Sequence, residues 1–110
     1  MKIAIVGSRT IKKIDVETYL PRDCSEIVSG GAIGVDRFAA VYAREHGIKL
    51  TEFYPIDEKY GRGAPILRNR QIVEYADQVL VFWDGKSKGT LSVMRYCEET
   101  RTPYRLIFCL

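Results

Sequence analysis

The feature that most constrains this chain is an alternation. Short apolar runs rich in β-branched residues recur along it, and segments with helical spacing lie between them. Lys2 to Val6 is the first run, closed by Gly7, Ser8 and Arg9. Glu26 to Val28, Ile48 to Phe53, Gln78 to Trp83 and Tyr104 to Cys109 share its Val, Ile, Leu and Phe character, the run at 26–28 being the shortest. Near-continuous apolar strands belong to sheets covered on both faces; half-solvated strands alternate instead. Between the strands, Val35, Phe38, Ala39, Tyr42, Ala43 and His46 step by three and four, which predicts a helix. Asp15 to Leu20 reads as a shorter helical piece ended by Pro21. Pro65 to Ala76 has proline in the first-turn position, and Leu91, Met94 and Cys97 mark a fourth helix running to about Arg101. The repeated strand and helix predict an α/β domain: a Rossmann-like three-layer sandwich, its five-stranded parallel sheet flanked by helices on both faces. With 110 residues and no repeat, low-complexity tract or linker, residues 1–110 are expected to form one domain.

The 46% hydrophobic fraction suits a globular core, but no segment approaches the roughly 18 consecutive apolar residues of a membrane span. Met1 opens directly onto a strand-like run without a signal-peptide pattern, so a cytoplasmic protein without membrane partners is expected. Cys24, Cys97 and Cys109 have no C-x-x-C spacing and no histidine-rich neighbourhood, which excludes a zinc motif and favours free thiols packed in the core. His46 precedes Gly47 at the expected end of a helix, a structural position for both. A net charge of +3 does not by itself call for nucleic acid.

In an open parallel sheet, ligands bind beyond the carboxyl ends of the strands, where strand order reverses. Gly7-Ser8-Arg9-Thr10 follows the first strand, and Ser29, Gly30, Gly31, Gly34, Val35 and Asp36 belong to the turn after the second. The glycines there let a ligand approach the orphan amides of a helix N-terminus, or they serve only a tight turn. The turn matches neither a Walker loop nor the dinucleotide fingerprint. Asp36 complements the helix dipole and would repel a second anion, so its functional alternative is to accept a hydrogen bond from a ribose hydroxyl or a base. Asp84 to Thr90, after the fourth strand, joins Lys86, Ser87, Lys88, Gly89 and Thr90 at another helix start, a better phosphate cradle unless it is a solvated loop with an ordinary N-cap. Asn69 falls on the line of Ile66, Val73 and Ala76, an inward face, and so needs a partner in a backbone carbonyl or a ligand. Arg68 and Arg70 flank it, and Arg9 could converge with them on an anion. Trp83 could stack on a base or belong to the core. The long irregular stretch from Tyr54 to Ala64 reads as a functional or mobile loop.

With G-S-R after the first strand, S-G-G-A-x-G-V-D after the second, R-N-R on the third helix and D-G-x-S-x-G-T after the fourth strand, the chain resembles the SLOG superfamily, most of all its small stand-alone YspA-like branch. The resemblance spans nearly the whole chain. It implies a sheet of order 3-2-1-4-5 and a pocket for nucleotides, nucleotide-derived signals or nucleic-acid ends. Its motifs fall on Gly7, Ser8, Arg9, Ser29, Gly30, Gly31, Gly34, Asp36, Arg68, Asn69, Gly89 and Thr90. The LOG-type phosphoribohydrolases are similar at the G-T turn, but there a catalytic glutamate follows within a few residues. Here Gly89-Thr90 runs into Leu91-Ser92-Val93-Met94, and the first acids, Glu98 and Glu99, lie two turns on.

Three functions follow as expectations. The first is binding of a nucleotide-like small molecule, with phosphate on Lys86 to Thr90 and Arg9, sugar or base near Asp36 and Asn69, and Mg2+ accompanying the phosphate as an option. The second is an N-glycosidase or phosphoribohydrolase acting on nucleoside monophosphates through Asp36 or Asp84. The third, suggested by similarity to DNA-processing protein A at the second turn, is single-stranded nucleic acid binding, which the mild charge and scattered aromatics disfavour. The helix bearing Leu91, Val93, Met94, Tyr96 and Cys97 has more apolar side chains than one buried face requires, which predicts a homodimer.

Overall fold

Each apolar run becomes a strand whose residues alternate between two helical layers. In the computed structural model, which describes residues 1–31, 34–56, 59 and 61–109, the strands are β1 (Lys2–Gly7), β2 (Glu26–Ser29), β3 (Lys49–Glu52), β4 (Gln78–Trp83) and β5 (Tyr104–Phe108). All pairings are parallel, and the order is β3-β2-β1-β4-β5. The helices are α1 (Val16–Tyr19), α2 (Val35–Glu45), α3 (Ala64–Tyr75, entered through a 3-10 turn at Gly61–Gly63) and α4 (Lys88–Thr100).

Ile3 and Ile5 of β1, Ile27 of β2, and Leu80 and Phe82 of β4 point toward α1 and α2, where they meet Val16, Val35, Ala39 and Ala43. Their neighbours Ala4, Val6, Val28, Val79 and Val81 point the other way, onto Ile72 and Val73 of α3 and Val93, Met94 and Cys97 of α4. The three central strands are thus buried on both faces, which is why they read as unbroken apolar runs. Among the described residues, no helix is long and apolar enough to cross a membrane.

Two helix caps follow from local chemistry. Asp15 caps α1 by accepting from the Thr18 amide (3.1 Å), and the helix ends before Pro21. At the end of α2, Gly47 takes φ +64 while His46 stacks on Tyr42 with its Nδ1 2.9 Å from the Tyr42 carbonyl, the structural role its position predicts.

Two expectations about faces are corrected. Ile66 is half exposed, so the inward line of α3 begins only at Asn69. In α4, Val93, Met94 and Cys97 are buried, while Leu91 and Tyr96 pack against the same core and the Tyr96 hydroxyl donates to Glu74 of α3. The apolar surplus of α4 is therefore absorbed by α3, and among the described residues no large apolar side chain of α4 is exposed for a partner.

Candidate functional site

Strand order reverses between β1 and β4: β2 and β3 continue to one side, β5 to the other. Their chain connections diverge there, and a cleft of about 520 Å³ opens above their carboxyl ends. Val6, Ile72 and Val93 form its apolar floor. Gly7, Arg9 and Thr10 line it from the end of β1, Asp36 from α2, Pro65, Arg68 and Asn69 from α3, and Asp84, Lys86, Ser87, Gly89 and Thr90 from the turn into α4.

The turn after β4 is organised by a carboxylate. Asp84 accepts from the Thr10 hydroxyl (2.6 Å) and from the amides of Lys86 and Ser87 (both 2.8 Å). These donors hold its carboxyl well below the usual aspartate range, the Thr10 hydroxyl contributing most. The lowered pKa favours the ionised form of Asp84, which weighs against an acid role for it and leaves a base role open. Ser87 caps α4, its hydroxyl accepting from the Thr90 amide (3.3 Å) and hydroxyl (3.1 Å). The Thr90 hydroxyl lies 3.3 Å from that of Ser8, which in turn accepts from the Asp84 amide (3.2 Å). Ser8 is buried beneath this chain of hydroxyls and stitches β1 to the turn, so it supports the site from below.

Two amides at the start of α4, those of Lys88 and Gly89, have no hydrogen-bond acceptor among the described residues. A Cβ at Gly89 would meet nothing within 4 Å, so packing does not require a glycine there. Its missing side chain leaves an open approach to those amides from the cleft. Lys86 lines the cleft, whereas Lys88 does not. Trp83 also lies outside it: its indole donates to the Ser87 carbonyl (3.0 Å) and its ring meets Phe108 edge-on at 5.6 Å. The tryptophan braces the turn from behind, so the stacking role anticipated for it does not hold inside the cleft.

The turn after β2 is filled by the protein itself. Arg68 donates through its guanidinium to the Gly30 carbonyl (2.7 Å) and through Nε to the Asn69 side-chain oxygen (2.9 Å). The polar exception on α3 thus finds its partner one residue away. A Cβ on Gly30 would stand 2.5 Å from that guanidinium and 3.0 Å from the Asp36 carboxylate, so the glycine makes room for both. Burial and the Arg9 charge pull the Arg68 pKa down while Asp36 opposes them, which places two cations and one carboxylate in a common field. Ser29 is buried and accepts from the Gly31 amide (3.4 Å). Gly31 and Gly34 have φ of +69 and +84, and the Tyr54 ring covers Gly31. Gly7 is a packing glycine, since a Cβ there would stand 2.5 Å from Val35 and 2.7 Å from the Phe82 carbonyl. Ala32 and Ile33 of this turn, and Asp57, Glu58 and Tyr60 of the Tyr54 to Ala64 loop, lie outside the described residues.

Of the residues singled out by sequence, the cleft lining therefore includes Gly7, Arg9, Asp36, Arg68, Asn69, Lys86, Ser87, Gly89 and Thr90. Ser8, Ser29, Gly30, Gly31 and Gly34 shape it from outside. Thr10 and Pro65 also line the cleft without having been assigned a role there; Thr10 was visible as the end of the first turn, but its bond to Asp84 required the fold. A Mg2+ ion accompanying a phosphate would draw on one or two carboxylates, and those lining the cleft are Asp36 and Asp84, the latter already accepting from three donors. Among the described residues no three His, Cys, Asp or Glu side chains converge as metal ligands, so such an ion would be held chiefly by the phosphate and water. Compared with protein-family models, curated proteins and solved structures, the chain matches none.

Proposed function

We propose that the cleft binds a nucleotide or a nucleotide-derived phosphate ligand in the cytoplasm, a setting that the three unpaired thiols favour. The observation that carries the reading is the start of α4: two amides without acceptors beside Gly89, in a cleft that also receives Lys86, Arg9 and Arg68. A helix N-terminus and converging cations favour phosphate, and a glycine with no packing duty leaves room for it. The sugar or base would then lie toward Asp36 and Asn69, over the apolar floor. Kinship with the SLOG superfamily is part of the proposal, supported by the strand order and by the gathering of its motifs at one sheet edge. Cleavage of the ligand finds less support, because the Asp84 carboxylate is bonded to three donors of its own turn and Leu91-Ser92-Val93-Met94 follows Thr90 where a glutamate would be expected.

Calorimetric titration with adenosine, guanosine, cytidine and uridine monophosphates, ribose 5-phosphate and inorganic phosphate tests the reading. At least one nucleotide should bind, and Gly89→Leu, whose side chain would enter the cleft without striking protein atoms, should abolish that binding while leaving the fold intact. Absence of binding by every compound at millimolar concentration, or unchanged binding in Gly89→Leu, would overturn it.

A further inference from the structure

Among the described residues the outer strand β5 pairs only with β4, and no strand lies along its other side. The Pro103 carbonyl accepts from the Val79 amide (3.0 Å), and the Cys109 amide donates to the Trp83 carbonyl (2.7 Å). The odd-numbered residues of this strand therefore address β4. Because backbone direction alternates along a parallel strand, Tyr104, Leu106 and Phe108 turn their N–H and C=O groups outward. Their side chains share one face, on the α4 side, where α4 does not reach far enough to cover them: Leu106 is 43% exposed and Phe108 54% exposed. Arg105, the strand's one charged residue, does not shield this edge, since its guanidinium sits 5.0 Å over the Tyr19 ring. The opposite edge strand, β3, carries Lys49, Thr51 and Glu52, and Lys49 is paired with Glu26 at 3.6 Å. Charged edges discourage strand addition, whereas an open apolar edge invites it.

We propose that β5 is the interface for a second copy of this chain, paired antiparallel about a two-fold axis at Leu106, so that two sheets become one of ten strands. A two-fold contact must be self-complementary, and this register is. Outward-facing backbone groups meet outward-facing ones, Leu106 lies opposite Leu106 of the second copy, and Tyr104 lies opposite Phe108, an aromatic cross-strand pair on each side. Arg105 falls opposite Ile107, so the two guanidinium groups do not meet. The interface also adjoins the ligand turn, because Phe108 packs on Trp83 and a Cβ at Gly85 would stand 2.8 Å from its ring.

Light scattering coupled to size exclusion, run over a concentration series, tests this. The wild-type chain should show twice the 12.6 kDa mass of one copy. Leu106→Lys sets two ammonium groups against each other on the axis, and Leu106→Pro deletes an outward N–H without touching the β4 ladder. Each should weaken association by about tenfold or more, while Leu106→Ile preserves it. Circular dichroism should show both disruptive variants folded; if the proline variant is not, the lysine variant decides. In hydrogen exchange, the amides of Tyr104, Leu106 and Phe108 should gain protection on concentrating the wild type. A wild-type chain that stays monomeric throughout the series, or a dimer indifferent to Leu106→Lys, overturns the proposal.

Discussion

Three glycines show how one residue type serves three purposes at a site. Gly7 is fixed by backbone and core, Gly30 by a guanidinium, and Gly89 by nothing in the protein. The consequences of adding a methyl group should differ accordingly. At Gly7 the added Cβ meets the Phe82 carbonyl and Val35, neither of which can step aside, so Gly7→Ala should cost roughly 1–3 kcal/mol as overpacking. At Gly30 the obstacle is the far end of Arg68, which can swing away. Gly30→Ala should therefore change stability by less than about 1 kcal/mol, yet displace Arg68 and weaken ligand binding by about tenfold. Urea denaturation and nucleotide titration of the two variants check the contrast. Loss of stability at Gly30 together with unimpaired binding would contradict it.

At the scale of elements, the turn between β4 and α4 joins two caps of different character. The Ser87 hydroxyl does not titrate, so Ser87→Ala should lower stability by about 1 kcal/mol at every pH. Asp84 behaves differently. Its folded-state pKa lies below the ordinary value of 3.8, so its contribution is complete above that pH and fades as acid protonates the carboxylate in the native protein. The deficit of Asp84→Ala relative to wild type should be largest at neutral pH and shrink progressively below pH 3.8, as denaturation curves at pH 7 and pH 3 would show. A deficit equal at both pH values would mean that the turn does not depend on the charge. Such caps also mark what sequence could and could not show. The strands were legible because burial on two faces leaves an unbroken apolar run, and β2, the shortest run, is observed one residue longer, through Ser29. The helix starts were less legible: α4 begins at Lys88, three residues before its first apolar side chain, because Ser87 sets the boundary. The two glycine-rich turns were visible, but their division of labour was not. It rests on Arg68 reaching Gly30 and on Thr10 reaching Asp84, contacts between residues 38 and 74 positions apart. Nor could periodicity reveal that Trp83 faces Phe108, since both faces of a buried strand look alike in sequence.

The whole molecule offers a reporter of its own cohesion. Cys97 is fully buried between α4 and the sheet, in the cluster that includes Ala4, Val79 and Ile72. Burial pushes its thiol up to about 11, so even a transient gap must admit both reagent and base before it reacts. Cys24 and Cys109 are only partly buried, on the α1 and α2 side, and their thiols are raised for the same reason. Cys97 lies in the layer where α4 packs on β4 and on α3, so exposing it means separating α4 from both. That is close to unfolding the domain. With an aromatic disulfide reagent at pH 8, Cys24 and Cys109 should label first, and Cys97 at a rate slower than a free thiol by about the equilibrium constant for global unfolding. Adding urea should accelerate Cys97 with the same slope as the equilibrium unfolding curve, while the other two thiols respond less steeply. If Cys97 instead labels early and without urea dependence, α4 opens independently of the sheet, and the turn at its N-terminus, Asp84 to Thr90, is carried on a mobile element.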